Sequence, residues 1–236
     1  MLYEFALLPG VFDAATLGRD PVKQVVVVQV LRGLLRNGLL ADLHKGEWRR
    51  KVLLQVEALP QTLRDKVMAC LNALDSRRRI VRHPKGGNQP QCEQDWLVLA
   101  VEEHRKFGFQ GIVHPDEQAT QEQAPDAPTI AVREVLDSPL WREIAETQTP
   151  AVPTTDHAYR TKLQPLVRYA KRLALVDRYL TPYEHRFFRT VKLCMEVLRH
   201  DPRGFRQIPI HIHAGDPENA SKDHHPESVA ARLRAW

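Results

Sequence analysis

The chain has 236 residues, and 43% of them are hydrophobic. That apolar content is enough for a folded core and excludes a globally disordered chain, while the length allows one large domain or two small ones. Lys and Arg number 34 against 29 Asp and Glu, so the formal net charge is +5. Nucleic acid, an anionic membrane surface and an acidic protein all stay open as partners, because charge reports attraction and not fold.

Cysteine usage and hydropathy exclude other classes of protein. The three cysteines lie far apart without a CxxC pair, so a disulfide framework or a zinc knuckle is not indicated. The N-terminus lacks the basic start and long apolar run of a signal peptide. The most apolar stretch, Val25–Leu40, is interrupted by Gln29, Arg32 and Arg36, and is too polar to cross a bilayer. We therefore expect a cytoplasmic protein that does not associate with membranes.

Strands and helices alternate in the first part of the chain. Asp20 and Pro21 are typical of a helix start, and Asn37-Gly38 of a helix end, which favours a helix over a strand for the valine run between them. The segment Trp48–Leu54 fits neither pattern. The other predicted elements are a strand over Leu2–Leu8, a helix over Pro60–Asp75, a strand over Arg79–Arg82, a loop over His83–Pro90, a helix over Glu93–Lys106 and a strand over Gln110–His114.

The composition changes between Asp116 and Pro128. The sequence DEQATQEQAPDAP has no periodic apolar pattern and is rich in Gln, Glu, Ala and Pro. It is typical of a linker, although a long loop within one domain has the same composition. The prediction is an α/β protein of two small parallel-sheet segments, residues 1–116 and 129–236, joined by a Pro/Gln-rich linker over 117–128.

The second segment repeats the alternation of helix and strand. Thr181-Pro182-Tyr183-Glu184 is a capping box with proline at the first helical position, and Pro165 is expected in the first turn of its helix or at a kink. Strand, helix and strand in succession predict a right-handed parallel crossover. The predicted elements are a helix over Lys162–Lys171, a strand over Leu173–Val176, a helix from the capping box to about His200 and a strand over Ile208–His213.

Acidic residues are spread through the first segment at Asp13, Asp42, Asp95 and Asp116. Asp95 begins a predicted helix and Asp116 follows the next strand, so the two can meet at one end of a parallel sheet. Clustered carboxylates bind Mg²⁺ or Mn²⁺, because these cations prefer oxygen ligands. Bound metal ions of this kind can clamp a phosphodiester during hydrolysis.

The stretches Asp95–Ala100 and Gly111–Asp116 resemble the C-terminal half of a PIN-like nuclease domain, in which an acid begins a helix and another follows the next strand. The resemblance implies a metal-dependent nuclease with Asp95 and Asp116 as metal ligands and Asp13 as the opening catalytic acid. His114-Pro115 stands where that family usually has Thr or Ser. The alternative is that Asp95 faces the helix macrodipole and Asp116 is a loop acid.

The stretches Lys162–Val167 and Ala170–Leu180 are similar to the first half of a phospholipase D-like domain. The His-x-Lys motif of that family does not occur in the chain. The similarity therefore implies a fold and an association with nucleic acid without a catalytic residue, and a generic α/β crossover has the same pattern. Together the two resemblances imply a bacterial nucleic-acid-associated protein of a defence or mobile-element system.

Two further groups of residues are candidate binding sites. His211 and His213 lie two apart on a predicted strand, so they point to the same face and could bind Zn²⁺ or Mn²⁺. The second group is basic and could bind phosphates of nucleic acid, or could simply be a solvated helix end. It comprises Arg77, Arg78, Arg79, Arg82 and Lys85.

These patterns lead to two functional hypotheses. In the first, the chain is a metal-dependent nuclease that uses Asp13, Asp95 and Asp116 with Mg²⁺ or Mn²⁺. In the second, it is a non-enzymatic subunit of a larger complex that binds nucleic acid or a partner protein. Aromatic residues make up 7% of the chain, so an aromatic platform for stacking single-stranded bases is not indicated.

Overall fold

The internal contacts of the computed structural model divide the chain into a first unit, Met1–Pro150, and a second unit, Ala151–Trp236. In the described residues no helix is long and apolar enough to cross a membrane. The residues that the structure describes are 3–84, 87–115, 126–145, 155–177, 185–200 and 208–214.

Strands and helices alternate along the first unit, as the periodicity predicts. In chain order its elements are β1 (Tyr3–Leu7), a 3-10 turn (Pro9–Phe12), α1 (Ala14–Leu17), α2 (Pro21–Asn37), β2 (Gly38–Asp42), a 3-10 turn (His44–Gly46), α3 (Glu47–Glu57), α4 (Gln61–Ser76), β3 (Ile80–Arg82), α5 (Glu93–Phe107), β4 (Gly111–His114), β5 (Thr129–Ala131), a 3-10 turn (Val135–Asp137) and α6 (Pro139–Ala145).

The five strands of this unit form one parallel sheet in the order β3-β2-β1-β4-β5. Every residue of β1, β2 and β4 is buried. Such continuous burial is typical of parallel strands, because crossover helices cover both faces of the sheet. The predicted α/β class with a parallel sheet is therefore confirmed.

Helix α2 begins where the sequence predicts. The Asp20 Oδ1 accepts hydrogen bonds from the backbone N–H groups of Val22 and Lys23, at 3.0 and 3.1 Å. These bonds satisfy amides that the first turn of a helix leaves unpaired. The helix ends at Asn37, and Gly38 directly begins β2, a strand that the local pattern did not indicate.

Residues 129–145 belong to the first unit. Strand β5 pairs with β4, and the Trp141 ring of α6 lies edge-on to Phe5 with 6.4 Å between ring centroids. The same indole packs so closely on Gly33 of α2 that a Cβ there would lie 2.4 Å from it. The division at Pro150 therefore falls later in the chain than the segment 117–128, and residues 129–145 pack with the first sheet rather than with the second segment.

The second unit contains α7 (Asp156–Tyr169), β6 (Leu173–Asp177), α8 (His185–Arg199) and β7 (Ile210–Ala214). Strands β6 and β7 pair in parallel, so the predicted parallel arrangement of these strands is confirmed. Helix α7 begins before the predicted Lys162, which places Pro165 inside the helix instead of in its first turn. A small core forms around Val167, Cys194 and Leu198.

Candidate functional site

A cavity of about 290 Å³ lies at the carboxyl ends of β1 and β4. The strand order reverses between these two neighbours, since β1 leads to β2 on one side while β4 lies on the other. In open parallel sheets this reversal leaves a crevice in which ligands bind. The residues that line the cavity are Gly10, Asp13, Thr16, Lys51, Gln55, Gln91, Cys92, Glu93, Trp96 and Pro115.

Glu93 is the most strongly perturbed acid of the cavity. It is the first residue of α5, and both of its carboxylate oxygens accept the Gly10 N–H, at 3.0 and 2.9 Å. A Cβ at position 10 would lie 2.7 Å from this carboxyl group, so glycine permits the approach. Burial raises the pKa of Glu93 to about 7, although the Gly10 hydrogen bonds and the Lys51 charge act in the opposite direction.

Asp13 supplies a second carboxylate to the cavity. It follows the 3-10 turn after β1 and is the N-cap of α1, where its Oδ1 accepts the Ala15 N–H at 3.3 Å. Its negative charge is one of the causes of the raised pKa of Glu93, which places the two acids within electrostatic range. The expected role of Asp13 at the end of the first strand stays a prediction, and its position on the cavity supports it.

Lys51 brings a cation to the lining of the same cavity. It lies on α3, one turn before Gln55, so both side chains reach the cavity from one helix face. The cavity therefore combines Asp13, Glu93 and Lys51: two carboxylates that could hold a metal cation and an ammonium group that could bind a phosphate. The sequence shows Lys51 in a basic run, Arg49-Arg50-Lys51, but the ambiguous pattern of Trp48–Leu54 did not predict that it lies on a helix beside the acids.

Asp95, the acid expected to bind metal, does not line this cavity. Its Oδ2 accepts the backbone N–H groups of Gln91 and Cys92, at 2.8 and 3.1 Å, in a capping box that begins α5. These bonds lower the pKa of Asp95, the Gln91 amide having the larger effect. Asp95 lies two positions after Glu93, and two helical steps of about 100° turn it to the opposite side of the helix.

Some of the expected site residues fall outside the described part of the chain. Asp116 and Lys85 lie outside the described residues, as does the side chain of His213. His211 is exposed on β7, beside Ala174 of β6. Within the described part of the chain, no group of three or more His, Cys, Asp and Glu side chains is arranged to hold a metal ion.

The predicted basic cluster lies where α4 ends. Arg77 and Arg78 are exposed, and Arg78 has a φ of 56° in the left-handed region that commonly terminates helices. The Arg79 N–H then donates to the Leu74 carbonyl at 2.7 Å, which closes the helix end. Arg82, on β3, is also exposed, and its Nε lies 3.9 Å from Asp42 Oδ2. The basic cluster thus closes the end of α4 through its backbone and also presents arginine side chains to solvent.

Asp42 is buried at the carboxyl end of β2 and belongs to a different environment from the cavity. Burial raises its pKa, while the Arg49 N–H and the charges of Arg82 and Arg49 act against that effect. The Arg49 N–H lies 3.1 Å from its Oδ1, so the carboxylate stabilises the start of α3. This contact helps to fix the helix that carries Lys51.

A separate buried cluster centres on His83. Its Nε2 lies 2.7 Å from Glu4 Oε1, and its Nδ1 lies 3.3 Å from Glu103 Oε2, with all three side chains about 1% exposed. An imidazole can donate from both nitrogens only when protonated. Burial alone would lower the pKa of His83, but the hydrogen bonds to Glu103 and Glu4 outweigh it and raise the pKa above its ordinary value. We interpret the cluster as a buried imidazolium between carboxylates.

No protein family, curated protein or solved structure matches the chain in the comparisons. The geometry of the cavity and the chemistry of its lining residues are therefore the guide to function.

Proposed function

We propose that the chain is a metal-dependent nuclease whose reaction site is the cavity between β1 and β4. The observation that carries the proposal is the convergence of Asp13, Glu93 and Lys51 on one cavity at the reversal of strand order. Compared with the expectation from sequence, Glu93 replaces Asp95 as the acid contributed by α5. A role in a bacterial defence or mobile-element system stays a prediction.

The donor set of the cavity fits Mg²⁺ or Mn²⁺. Both ions prefer carboxylate oxygens, and Mg²⁺ commonly binds one or two carboxylates while it keeps several waters and contacts substrate phosphates. The raised pKa of Glu93 indicates that the positive charge of Lys51 does not fully offset the burial of that carboxylate. A cation held by Asp13 and Glu93 would supply the missing charge and would neutralise charge on a bound phosphodiester.

The protein's own residues then have distinct tasks. The Gly10 N–H orients the Glu93 carboxylate through its two contacts of 3.0 and 2.9 Å. Lys51 is placed to donate to a non-bridging phosphate oxygen from the α3 side of the cavity. The Ala15 N–H donates to the Asp13 carboxylate, which holds Asp13 at the start of α1 in the lining of the cavity. Such fixed positioning supplies much of the rate enhancement in phosphoryl-group reactions.

Isosteric substitutions test the assignment. We expect Asp13→Asn and Glu93→Gln each to lower Mn²⁺-dependent cleavage of labelled RNA or DNA oligonucleotides by about 100-fold or more, because each removes a charge from the proposed cation site. Glutamine can still accept the Gly10 N–H, so the local structure should persist. The measurement is the single-turnover cleavage rate with Mn²⁺, and with EDTA as the metal-free reference.

Asp95→Asn is the matched control for this experiment. It removes an acidic charge from the same helix turn, but asparagine also caps helices well. We expect cleavage by this variant to stay within a few-fold of the wild-type rate. A wild-type rate for Glu93→Gln, or a loss in Asp95→Asn equal to that in Asp13→Asn, would contradict the assignment.

The exposed arginines favour a second candidate function, a non-enzymatic subunit that binds nucleic acid. Arg77 and Arg78 face solvent side by side at the end of α4, with Arg82 exposed on the neighbouring strand. Replacement of Arg77, Arg78 and Arg79 with Glu should weaken nucleic-acid binding and flatten its dependence on salt. If binding is lost while no metal supports cleavage by the wild type, this second function is preferred to the nuclease.

A further inference from the structure

A second cavity, of about 270 Å³, adjoins the first. Lys51, Gln91 and Trp96 contribute to the walls of both, so the two form neighbouring compartments along one groove. Ligand sites commonly measure about 300–1000 Å³, which limits this compartment to one small unit of a ligand. The remaining lining residues of the second cavity are Glu47, Arg50, Leu54, Gln89 and Pro90.

We propose that the second cavity binds one nucleoside monophosphate unit, the nucleotide that adjoins the phosphodiester in the first cavity. That this nucleotide belongs to a strand under cleavage rests on the proposed function. The binding of a free nucleotide follows from the lining of the second cavity itself. Three features of the lining support it: cations, an apolar wall and side-chain amides.

The cations come from α3. Arg50 and Lys51 are consecutive, and both reach the second cavity. Arg50 makes an ion pair of 3.2 Å with Glu47 one turn earlier, and its side chain is 72% exposed. Exposed pairs of this kind contribute little to stability, so the guanidinium can exchange Glu47 for a phosphate at small cost. Arginine binds phosphate through two parallel N–H donors, which suits two oxygens of a nucleotide's phosphate, whether the nucleotide is free or part of a strand.

The second cavity also has an apolar part of its lining. Leu54 is 61% exposed although it is a large aliphatic side chain, and it lies on the cavity wall with Pro90 and the buried Trp96. A single exposed leucine is ordinary on a protein surface, but here it completes a concave apolar surface. The flat face of a nucleobase would cover this surface and remove it from water.

The amides belong to the loop that leads into α5. Gln89 and Gln91 both line the second cavity, and the Gln91 Nε2 donates to the Gln89 carbonyl at 3.2 Å, which holds the Gln91 side chain in the loop. A glutamine side chain can donate and accept, as the edge of every nucleobase also can. Phosphate, apolar face and polar edge therefore each find a counterpart in one compartment.

Equilibrium binding of nucleoside 5′-monophosphates to the full chain in EDTA tests the proposal without any need for cleavage. Isothermal titration calorimetry should give tighter binding for the monophosphates than for ribose 5-phosphate or for the nucleosides. Arg50→Ala should weaken monophosphate binding about tenfold or more, because hydrogen bonds to charged groups are strong. Leu54→Ala should weaken the monophosphates and leave ribose 5-phosphate unchanged.

Lys66→Ala is the matched control, since Lys66 is an exposed cation on α4 that lines neither cavity. It should bind the monophosphates as the wild type does. Equal affinity for ribose 5-phosphate and the monophosphates would overturn the proposal. Wild-type affinity in both Arg50→Ala and Leu54→Ala would also overturn it.

The two proposals fail in different ways. Asp13→Asn should lose cleavage and keep monophosphate binding, because Asp13 lines the first cavity and does not line the second. If cleavage depends on Asp13 and Glu93 but monophosphates bind without dependence on Arg50 and Leu54, the subsite is wrong and the nuclease stands. If monophosphates bind with that dependence and no metal supports cleavage, the subsite stands and the nuclease is wrong.

Discussion

His83 carries the clearest pH dependence at the scale of single residues. Its raised pKa means that the folded state binds the proton more tightly than the unfolded state does. Protonated His83 therefore stabilises the folded state fully below the ordinary histidine pKa of about 6.5. This stabilisation is lost as the pH rises through the pKa of His83 in the folded state. The pKa of Glu103 is lowered: burial raises it, but the bonds to His83 and Lys106 prevail. The Glu103 carboxylate therefore stabilises the folded state above about pH 4.5, and this stabilisation is lost as the pH falls through its lowered pKa.

We predict that His83→Gln destabilises the protein most between about pH 4.5 and 6.5, where the His83 imidazolium and the Glu103 carboxylate are both charged. Loss of one partner from a buried charged cluster commonly costs about 3–5 kcal/mol. The difference from wild type should narrow as the pH rises through the raised pKa of His83, because the wild-type imidazolium then loses its proton. Urea unfolding followed by circular dichroism from pH 4 to 9 measures this profile.

His104→Gln provides the control, because His104 lies on the same helix and has a pKa lowered by burial. The folded state disfavours its proton, so wild-type stability falls as the pH decreases, and the variant should become relatively more stable there. An unchanged difference between wild type and His83→Gln across the whole range would show that His83 is not the charged group.

At the scale of secondary structure, helix α5 shows both the strength and the limit of sequence reasoning. The predicted start at Glu93 is confirmed, and the strand that follows at Gly111–His114 is also confirmed within one residue. The choice between Glu93 and Asp95 was beyond the local pattern, since both are acids in the first turn. Which acid faces the cavity depends on the 3-10 turn after β1. The Gly10 N–H of that 3-10 turn donates to Glu93, whereas Asp95 accepts from Gln91 and Cys92.

Strand β2 and helix α6 were not predicted from the sequence, because local signals were misleading or absent at both. Strand β2 follows α2 without a loop, and an Asn-Gly pair normally marks a turn instead. The segment 139–145 is too short to show a clear helical period of apolar residues. Helix α6 is stabilised instead by the packing of Trp141 on Gly33 and Phe5. Such contacts join distant positions in the chain, so a window of neighbouring residues does not contain them.

At the scale of the whole molecule, the first unit has its own core. Phe5, Leu31 and Trp141 lie in one hydrophobic cluster that spans β1, α2 and α6. The buried residues Val132, Val135 and Ile144 extend this cluster beyond residue 128. A boundary near Pro150 therefore preserves the core, whereas one within the Pro/Gln-rich segment would divide it.

We predict that residues 1–150 fold cooperatively when expressed alone, with a free energy of unfolding typical of small domains, about 5–15 kcal/mol. Residues 1–128 should be destabilised by at least about 3–5 kcal/mol, because truncation removes the buried Trp141 together with its aliphatic neighbours. Urea unfolding of both fragments measures the difference. Equal stability of the two fragments would contradict the assignment of residues 129–145 to the first unit.

The amino-acid sequence was sufficient to predict the α/β class, the start of α2 and the position of α5, and it showed the acidic residues and arginines that became site candidates. These features depend on periodicity, caps and composition, which are local properties of the chain. Tertiary structure alone decided that Glu93, Asp13 and Lys51 share a cavity while Asp95 caps a helix. It decided this because the strand order brings the segments after β1 and β4 together, and positions far apart in the chain then meet at one edge of the sheet.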